Sequence, residues 1–179
     1  MTQLSQSVRL EFDDDVALIL IDNPPVNALS FHVRQGLLDG MAQAESSDAA
    51  AIVVICDGRT FIAGADITEF SGPPKPPSLQ AAQDAMENCS KPVIAAVHGT
   101  ALGGGLEVAL CAHYRVGVDS SQYGLPEVKL GLLPGAGGTQ RLPRITGAAK
   151  ALEMMTSGDP ITAQDALDCG LIDEIVEDL

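Results

Sequence analysis

The sequence predicts an α/β fold with a mainly parallel sheet. Short aliphatic runs such as 50–56 and 92–97 alternate along the chain with segments of helical period. These runs are apolar throughout, which is typical of strands covered on both faces. Apolar residues make up 46% of the chain, with no Trp and four Phe, so we expect an aliphatic core. A length of 179 residues fits one domain spanning 1–179.

The chain is predicted to open with a β-hairpin. Residues 8–12 alternate between apolar and polar side chains, the aspartates at 13–15 indicate a turn, and 16–21 read as a more buried strand. The segment DNPP at 22–25 ends the hairpin, because proline cannot continue a strand ladder.

The following elements are predicted from period, capping residues and turn residues. They are a helix from Ser30 to about Ala44, a strand at 50–56, a glycine turn at 59–67, a loop at 71–78, a helix at 79–89, a strand at 92–97, a helix from Gly104 to about Tyr114 and a strand at 115–118. The first of these helices has Val33, Leu37, Met41 and Ala44 on one stripe, which we expect to face the core.

The C-terminal part is predicted to hold one more helix and the last strand. Thr162 and Asp165 form a capping box, and the helix that they begin is expected to end at Gly170. Residues 171–177 follow this helix and are predicted to form the last strand.

The charge balance excludes some functions. The chain has a net charge of −14 and its ten Lys and Arg form no basic stripe, so we expect no nucleic-acid binding. No signal-peptide pattern is present and the apolar runs are too short to cross a bilayer. Four cysteines without C-x-x-C spacing suit a reducing compartment. We therefore predict a soluble, cytoplasmic protein without membrane insertion.

Two glutamates beside glycine-rich turns, Glu107 and Glu127, are the candidate catalytic residues. Glu107 begins a helix that follows the glycines at 103–105 and is apolar on every face, so we expect its carboxylate to be buried. Amides at such a helix start can stabilise a developing oxyanion by about 3–4 kcal/mol each. Two carboxyl groups in one pocket raise at least one pKa, which suits acid–base catalysis. From the residues alone, the glycines can equally serve tight packing, and Glu127 can be a surface residue.

Sequence motifs of several other catalytic classes are absent. The sequence has no G-x-S-x-G for a serine hydrolase, no H-E-x-x-H for a metal enzyme and no phosphate-binding loop. His32, His98 and His113 are far apart along the chain, so we predict no metal site.

Five segments, in order along the chain, resemble the enoyl-CoA hydratase/isomerase (crotonase) family. They are PPVNALS (24–30), FIAGADITEF (61–70), KPVIAAVHGTALGGGLEVAL (91–110), YGLPEVKLGLLPGAGGTQRLPR (123–144) and ITAQDALDCGLIDEIV (161–176). Together they cover nearly the whole chain. The fourth segment is most similar to the hydratase/isomerase part of multifunctional β-oxidation enzymes. The resemblance implies a crotonase-like ββα spiral core.

The resemblance also implies functions for individual residues. Glu107 and Glu127 would hold one water, add it to C3 of a trans-2-enoyl-CoA and deliver a proton to C2; which glutamate performs which step is left open. The amides of Ala65 and Gly104 match the family's oxyanion hole. Other implied contacts are Pro25, Val26, Asp66 and Ile67 along the pantetheine channel, Ala63 for a backbone contact to the adenine, and Gly135 for orienting the second glutamate. No metal and no separate cofactor are implied, because coenzyme A is part of the substrate.

Family members continue into a C-terminal helical segment that covers the acyl pocket and, in many relatives, builds a trimer. We expect this chain to lack that segment and to act as a homotrimer or as part of a larger multifunctional protein. Two alternative functions stay open. One is Δ3-Δ2-enoyl-CoA isomerisation, which needs one base to move a proton between C4 and C2. The other is a non-catalytic acyl-CoA-binding or assembly module.

Overall fold

The computed structural model describes residues 1–73 and 75–179 and has an α/β fold, as the sequence predicts. Its elements, numbered in chain order, are β1 (Thr2–Gln3), β2 (Val8–Asp13), β3 (Val16–Ile21), α1 (Phe31–Ser46), β4 (Ala51–Cys56), α2 (Leu79–Glu87), β5 (Val93–Val97), β6 (Thr100–Leu102), α3 (Gly104–Ala109), β7 (Tyr114–Val118), β8 (Gln122–Gly124), α4 (Gly138–Thr146), α5 (Ala148–Ser157), β9 (Ile161–Thr162), α6 (Ala163–Asp168) and β10 (Glu174–Val176). Two 3₁₀ turns, Ile67–Ser71 and Pro126–Leu130, flank the site described below.

The main sheet of the described chain has the strand order β1-β2-β3-β4-β5-β7-β10. The predicted hairpin is confirmed, since β2 and β3 are antiparallel with Val8 opposite Ile21 and Asp13 opposite Val16. From β3 onward every neighbouring pair is parallel, which confirms the mainly parallel sheet. The carboxyl ends of β4, β5 and β7 therefore lie at one edge of the sheet.

An aliphatic core fills the space between this sheet and the helices. In α1 the predicted stripe of Val33, Leu37, Met41 and Ala44 is at most 1% exposed. α1 packs against β2, β3 and β4, whose inward residues are equally buried. Full burial of each large aliphatic side chain contributes roughly 1.5–3 kcal/mol, so this layer holds the sheet and α1 together.

A second, small sheet of β6, β8 and β9 was not predicted. β6 runs parallel to β8, and β8 is antiparallel to β9. Strands of two or three residues are too short for an alternating pattern to show in the sequence. This sheet positions the site, because β6 leads directly into α3 and β8 leads directly into the turn Pro126–Leu130.

The predicted end of the third helix at Tyr114 is wrong. α3 ends at Ala109, because the Cys111 N–H donates to the carbonyl three residues earlier instead of four. The His113 N–H then donates to the Val93 carbonyl at 2.8 Å, which places the chain beside β5. The apolar run of this segment therefore serves a short helix and a turn.

The predicted last strand at 171–177 is wrong at its start. The N–H groups of Leu171 and Ile172 donate to the Ala166 carbonyl, so these residues close α6, and β10 begins at Glu174. The capping box of Thr162 and Asp165 is present as predicted.

Helices α4 and α5 are further elements that were not predicted. The glycine-rich run before them and Pro143 inside α4 interrupt the helical period in the sequence. The predicted loop at 71–78 includes position 74, which lies outside the described residues. Across the described ranges, no helix has both the length and the apolar character that crossing a bilayer requires.

Candidate active site

A cavity of about 380 Å³ lies at the start of α3 and gathers most of the predicted site residues. The predicted positions that line it are Ala63, Ala65, Ile67, Gly104, Glu107, Glu127 and Gly135. The rest of its wall is largely apolar and includes Leu79, Leu102, Leu130, Leu132 and Leu133. The two candidate carboxyl groups therefore face one apolar space.

Two turns of the backbone meet at one end of this cavity. The Leu102 N–H, at the start of the turn 102–105, donates to the Ile62 carbonyl, at the start of the turn 62–65, at 3.0 Å. The contact is so close that a Cβ on Gly105 would overlap the Ile62 carbonyl oxygen. A glycine is required there, which gives one of the three consecutive glycines a packing function.

The amides of Ala65 and Gly104 lie close together in this contact. Gly104 is the first residue of α3, so its N–H has no partner within the helix. A Cβ placed on Gly104 would lie 3.9 Å from the Ala65 nitrogen. Among the described residues, neither N–H donates to a protein acceptor. Both donors are thus available to a ligand in the cavity.

Glu107 lies in the first turn of α3 and is 2% exposed. Its Oε1 accepts hydrogen bonds from the N–H groups of Ala136 and Gly138, both at 2.8 Å. Hydrogen bonds from an amide to a charged acceptor are about twice as strong as neutral ones. These two bonds offset the cost of burying the carboxylate and hold the side chain in one orientation.

Glu127 lies in the 3₁₀ turn Pro126–Leu130 and is half-buried. Its Oε2 is buried without a hydrogen-bond partner among the described residues. Burial raises the pKa of Glu127, a hydrogen bond from its own backbone lowers it in part, and the charge of Glu107 raises it further. Glu127 therefore keeps a proton to higher pH than a solvated glutamate.

The pair can both accept and donate a proton. The Glu107 carboxyl group is held by two amides, whereas Glu127 has a raised pKa and an oxygen without a donor among the described residues. Within the described ranges, no three His, Cys, Asp or Glu side chains are grouped so that they could hold a metal ion.

Three of the predicted binding residues lie outside the lining of this cavity. Asp66 caps the turn Ile67–Ser71 by accepting from the Thr68 N–H at 3.0 Å, and it lines a neighbouring cavity that shares Ala65. The Val26 carbonyl accepts from the N–H of Ala63, a residue of the cavity wall, at 3.1 Å. Pro25 is exposed. The predicted contacts of these three residues with a pantetheine arm stay predictions.

The sequence did not point to three residues that hold Glu107. Ala136 and Gly138 supply the two amides, and Gln83 of α2 donates to the carbonyls of Glu107 and Ala136. Two features of the sequence could have indicated them. One is the glycine-rich run at 135–138, in which only Gly135 was given a function. The other is a glutamine on the buried side of α2, where it lies with Ala82 and Met86. The predicted function of Gly135 itself stays a prediction.

Most of this chain is similar in sequence to known proteins. A family model described as enoyl-CoA hydratase/isomerase matches residues 11–178. The chain is 52% identical over 164 residues to the peroxisomal bifunctional enzyme of Danio rerio. The aligned region covers 90% of this chain and 23% of that protein. It is 44% identical to a probable enoyl-CoA hydratase of Bacillus subtilis, over 93% of this chain and 67% of that protein. The chain thus spans about a quarter of the bifunctional enzyme.

Solved structures show the same fold. The DspI structure from Pseudomonas aeruginosa superposes with a TM-score of 0.90 at 33% identity, over 98% of this chain and 70% of that one. An enoyl-CoA hydratase from Bacillus anthracis gives a TM-score of 0.89 at 32% identity, over 96% and 70% of the two chains. These agree with the crotonase-like core. The chain belongs to the enoyl-CoA hydratase/isomerase family.

Proposed function

We propose that this chain hydrates a trans-2-enoyl-CoA to a 3-hydroxyacyl-CoA in fatty-acid β-oxidation. The observation that carries the proposal is one cavity lined by Glu107, Glu127, Ala65 and Gly104, in which the last two have amides that donate to no acceptor among the described residues. Membership of the family supports it, as do relatives that are named as enoyl-CoA hydratases or bifunctional enzymes. Coenzyme A enters as part of the substrate, so no separate cofactor takes part in the proposed reaction.

In the proposed reaction Glu107 is the base and Glu127 the acid. Glu107, held by two amides, takes a proton from water while the water oxygen bonds to C3. The π electrons of the C2=C3 bond move toward the thioester, and Glu127 donates its proton to C2. One C–O and one C–H bond form for each water consumed. The proton on Glu107 then returns to Glu127 through the next water. The raised pKa of Glu127 supports its assignment as the proton donor.

The amides of Ala65 and Gly104 would stabilise the intermediate. The thioester oxygen gains negative charge when water adds to C3, and two preorganised N–H donors at that position stabilise it. Each such donor contributes about 3–4 kcal/mol to transition-state stabilisation. The macrodipole of α3 adds positive potential at the same place.

The apolar wall formed by Leu79, Leu130, Leu132 and Leu133 suits the alkyl chain of a fatty acyl group.

Assembly as a homotrimer or as part of a multifunctional protein stays a prediction. So does the cytoplasmic location, since several relatives are named as peroxisomal.

The proposal is tested by following the enoyl-thioester absorbance with wild type, Glu107→Gln and Glu127→Gln. Glutamine keeps the shape of the side chain but cannot transfer the proton, so we expect each variant to lose about 10²–10⁴-fold in kcat. Glu153→Gln is the matched control, because Glu153 is exposed on α5 and pairs with Lys150 away from the cavity. It should retain the wild-type rate.

Two results would favour the alternative functions. Conversion of a 3-enoyl-CoA to the 2-enoyl isomer without hydration would show an isomerase, and separation of the products by chromatography distinguishes the two. Binding of CoA esters by calorimetry, with no turnover of either substrate, would show a binding module.

A further inference from the structure

We propose that Gln83 is a positioning residue that holds Glu107 in the geometry needed for proton transfer. This inference rests on the proposed function. Gln83 lies on α2, is 0% exposed, and bonds to the backbone of Glu107 and Ala136, two residues that line the cavity.

The Gln83 amide joins two parts of the site. Its Nε2 donates to the Glu107 carbonyl at 3.1 Å and to the Ala136 carbonyl at 2.9 Å. Both partners are acceptors, so the NH₂ group must face them, and this fixes the orientation of the amide. One side chain thus ties the first turn of α3 to the loop that carries the carboxylate's donors.

The Glu107 carbonyl is available for this bond because α3 is short. In a longer helix it would accept the N–H of residue 111, but the Cys111 N–H donates to the Val108 carbonyl instead. The Cys111 Sγ does reach the Glu107 carbonyl at 3.2 Å. A thiol is a weak donor, and burial raises the pKa of Cys111 to about 12, so the thiol stays protonated. The amide of Gln83 is the stronger of the two donors.

Both backbone polar groups of Ala136, its N–H and its carbonyl, form hydrogen bonds. Its N–H donates to Glu107 Oε1 at 2.8 Å, and its carbonyl accepts from Gln83 and from Arg141 Nη1 at 3.1 Å. Arg141 is itself paired with Glu87 at 2.8 Å. Movement of Ala136 would move a donor of the Glu107 carboxylate. Loss of Gln83 therefore affects the carboxylate in two ways, through the Glu107 backbone and through Ala136.

Packing alone does not favour glutamine at this position. The Gln83 Oε1 is buried without a hydrogen-bond partner among the described residues, and an unpaired buried oxygen lowers stability. Leucine or methionine would fill the same space without that cost. The two bonds made by Nε2 are what an apolar residue cannot replace.

The test compares Gln83→Met with Gln80→Met. Gln80 lies on the same helix but is exposed and bonds to Asp84, so its replacement controls for a methionine in α2. We expect Gln83→Met to lower kcat by at least about tenfold with KM little changed, because a misplacement of about 1 Å can cost about a hundredfold in rate. Hydrogen exchange by NMR should be faster at the Ala136 and Gly138 amides, whereas Gln80→Met should match wild type in both measurements.

A second variant, Gln83→Glu, adds a pH dependence. A protonated carboxyl group can donate one of the two bonds, whereas its ionised form repels both carbonyls. The kcat of Gln83→Glu relative to wild type should therefore rise as the pH falls, while the deficit of Gln83→Met should not. If Gln83→Met does not fold, hydrogen exchange at the Ala136 and Gly138 amides is measured in Gln83→Glu and compared with wild type.

Wild-type kcat in Gln83→Met, or a lowered kcat without faster exchange at either amide, would overturn the inference. If the wild-type chain itself hydrates no enoyl-CoA, the proposed function fails. Hydrogen exchange at the Ala136 and Gly138 amides still tests whether Gln83 positions the loop that holds Glu107, because this measurement needs no substrate.

Discussion

The two carboxyl groups of the site differ because of their immediate surroundings. Glu107 is oriented by two backbone amides, whereas one oxygen of Glu127 is buried without a donor among the described residues. The same residue type is thus placed in two electrostatic environments. The difference arises at the scale of single hydrogen bonds, and it underlies the assignment of base and acid.

We expect Glu127→Gln to stabilise the protein at high pH. Burial raises the pKa of Glu127 above the ordinary value of 4.5. The folded state then binds this proton more tightly than the unfolded state. The stability that results is fully present below pH 4.5 and is lost as the pH rises through the folded pKa. Glutamine is neutral throughout, so the Tm of the variant should exceed that of wild type at about pH 8 and not at about pH 4.

Circular dichroism gives both melting curves, since the chain has no Trp. Glu153→Gln, an exposed change, serves as the control for loss of one negative charge. A Tm difference of equal size at both pH values would contradict the expected titration of Glu127.

The element that positions the amides proposed as oxyanion donors is a contact between two turns, 62–65 and 102–105. Gly103 has φ +52°, a left-handed conformation in which a side chain is strained, and Gly105 packs directly on the Ile62 carbonyl. The glycines therefore have two functions. They bring the turns together, and they leave the Gly104 amide open to the cavity.

Gly105→Ala is expected to destabilise the fold by about 1–3 kcal/mol, because the added Cβ meets backbone and not a flexible side chain. The overlap of this Cβ with the Ile62 oxygen can be relieved only if the two turns separate. Urea unfolding followed by circular dichroism measures the change. In the matched control, Gly72→Ala, the Cβ meets nothing within 4 Å and φ is not left-handed. Its effect should stay within about 0.5 kcal/mol, and equal effects of the two changes would refute the close contact.

The whole molecule has a net charge of −14, whereas the proposed substrate carries the phosphates of coenzyme A. Like charges slow the encounter of two molecules, and salt screens the repulsion. The reach of the charges falls from about 30 Å at 0.01 M salt to about 8 Å at 0.15 M.

Rising salt is therefore expected to increase kcat/KM for an enoyl-CoA. The same measurement with a truncated enoyl thioester that lacks the phosphates provides the control, and its kcat/KM should be nearly independent of salt. A fall of kcat/KM with salt for the CoA ester would indicate local positive charge at the binding site that outweighs the net charge of the protein.

Several features of the fold were predictable because they depend on local patterns. The hairpin of β2 and β3, the stripe on α1 and the capping box of α6 follow from alternation, helical period and capping chemistry. The end of α3 was not predictable, since the segment after it bonds to a neighbouring strand, through the His113 N–H and the Val93 carbonyl. The sheet of β6, β8 and β9 was missed for the same reason, because pairing between distant short segments leaves little local signal.

The sequence by itself determined the α/β class, the family resemblance and the candidate residues Glu107, Glu127, Ala65 and Gly104. The tertiary structure decided how they are arranged. It brought the loop at 135–138 and the side chain of Gln83 to Glu107, and it left an oxygen of Glu127 without a donor in the described part of the chain. Such contacts join segments 24 to 53 residues apart, and their energies depend on burial and distance in space. No local pattern along the chain records those quantities.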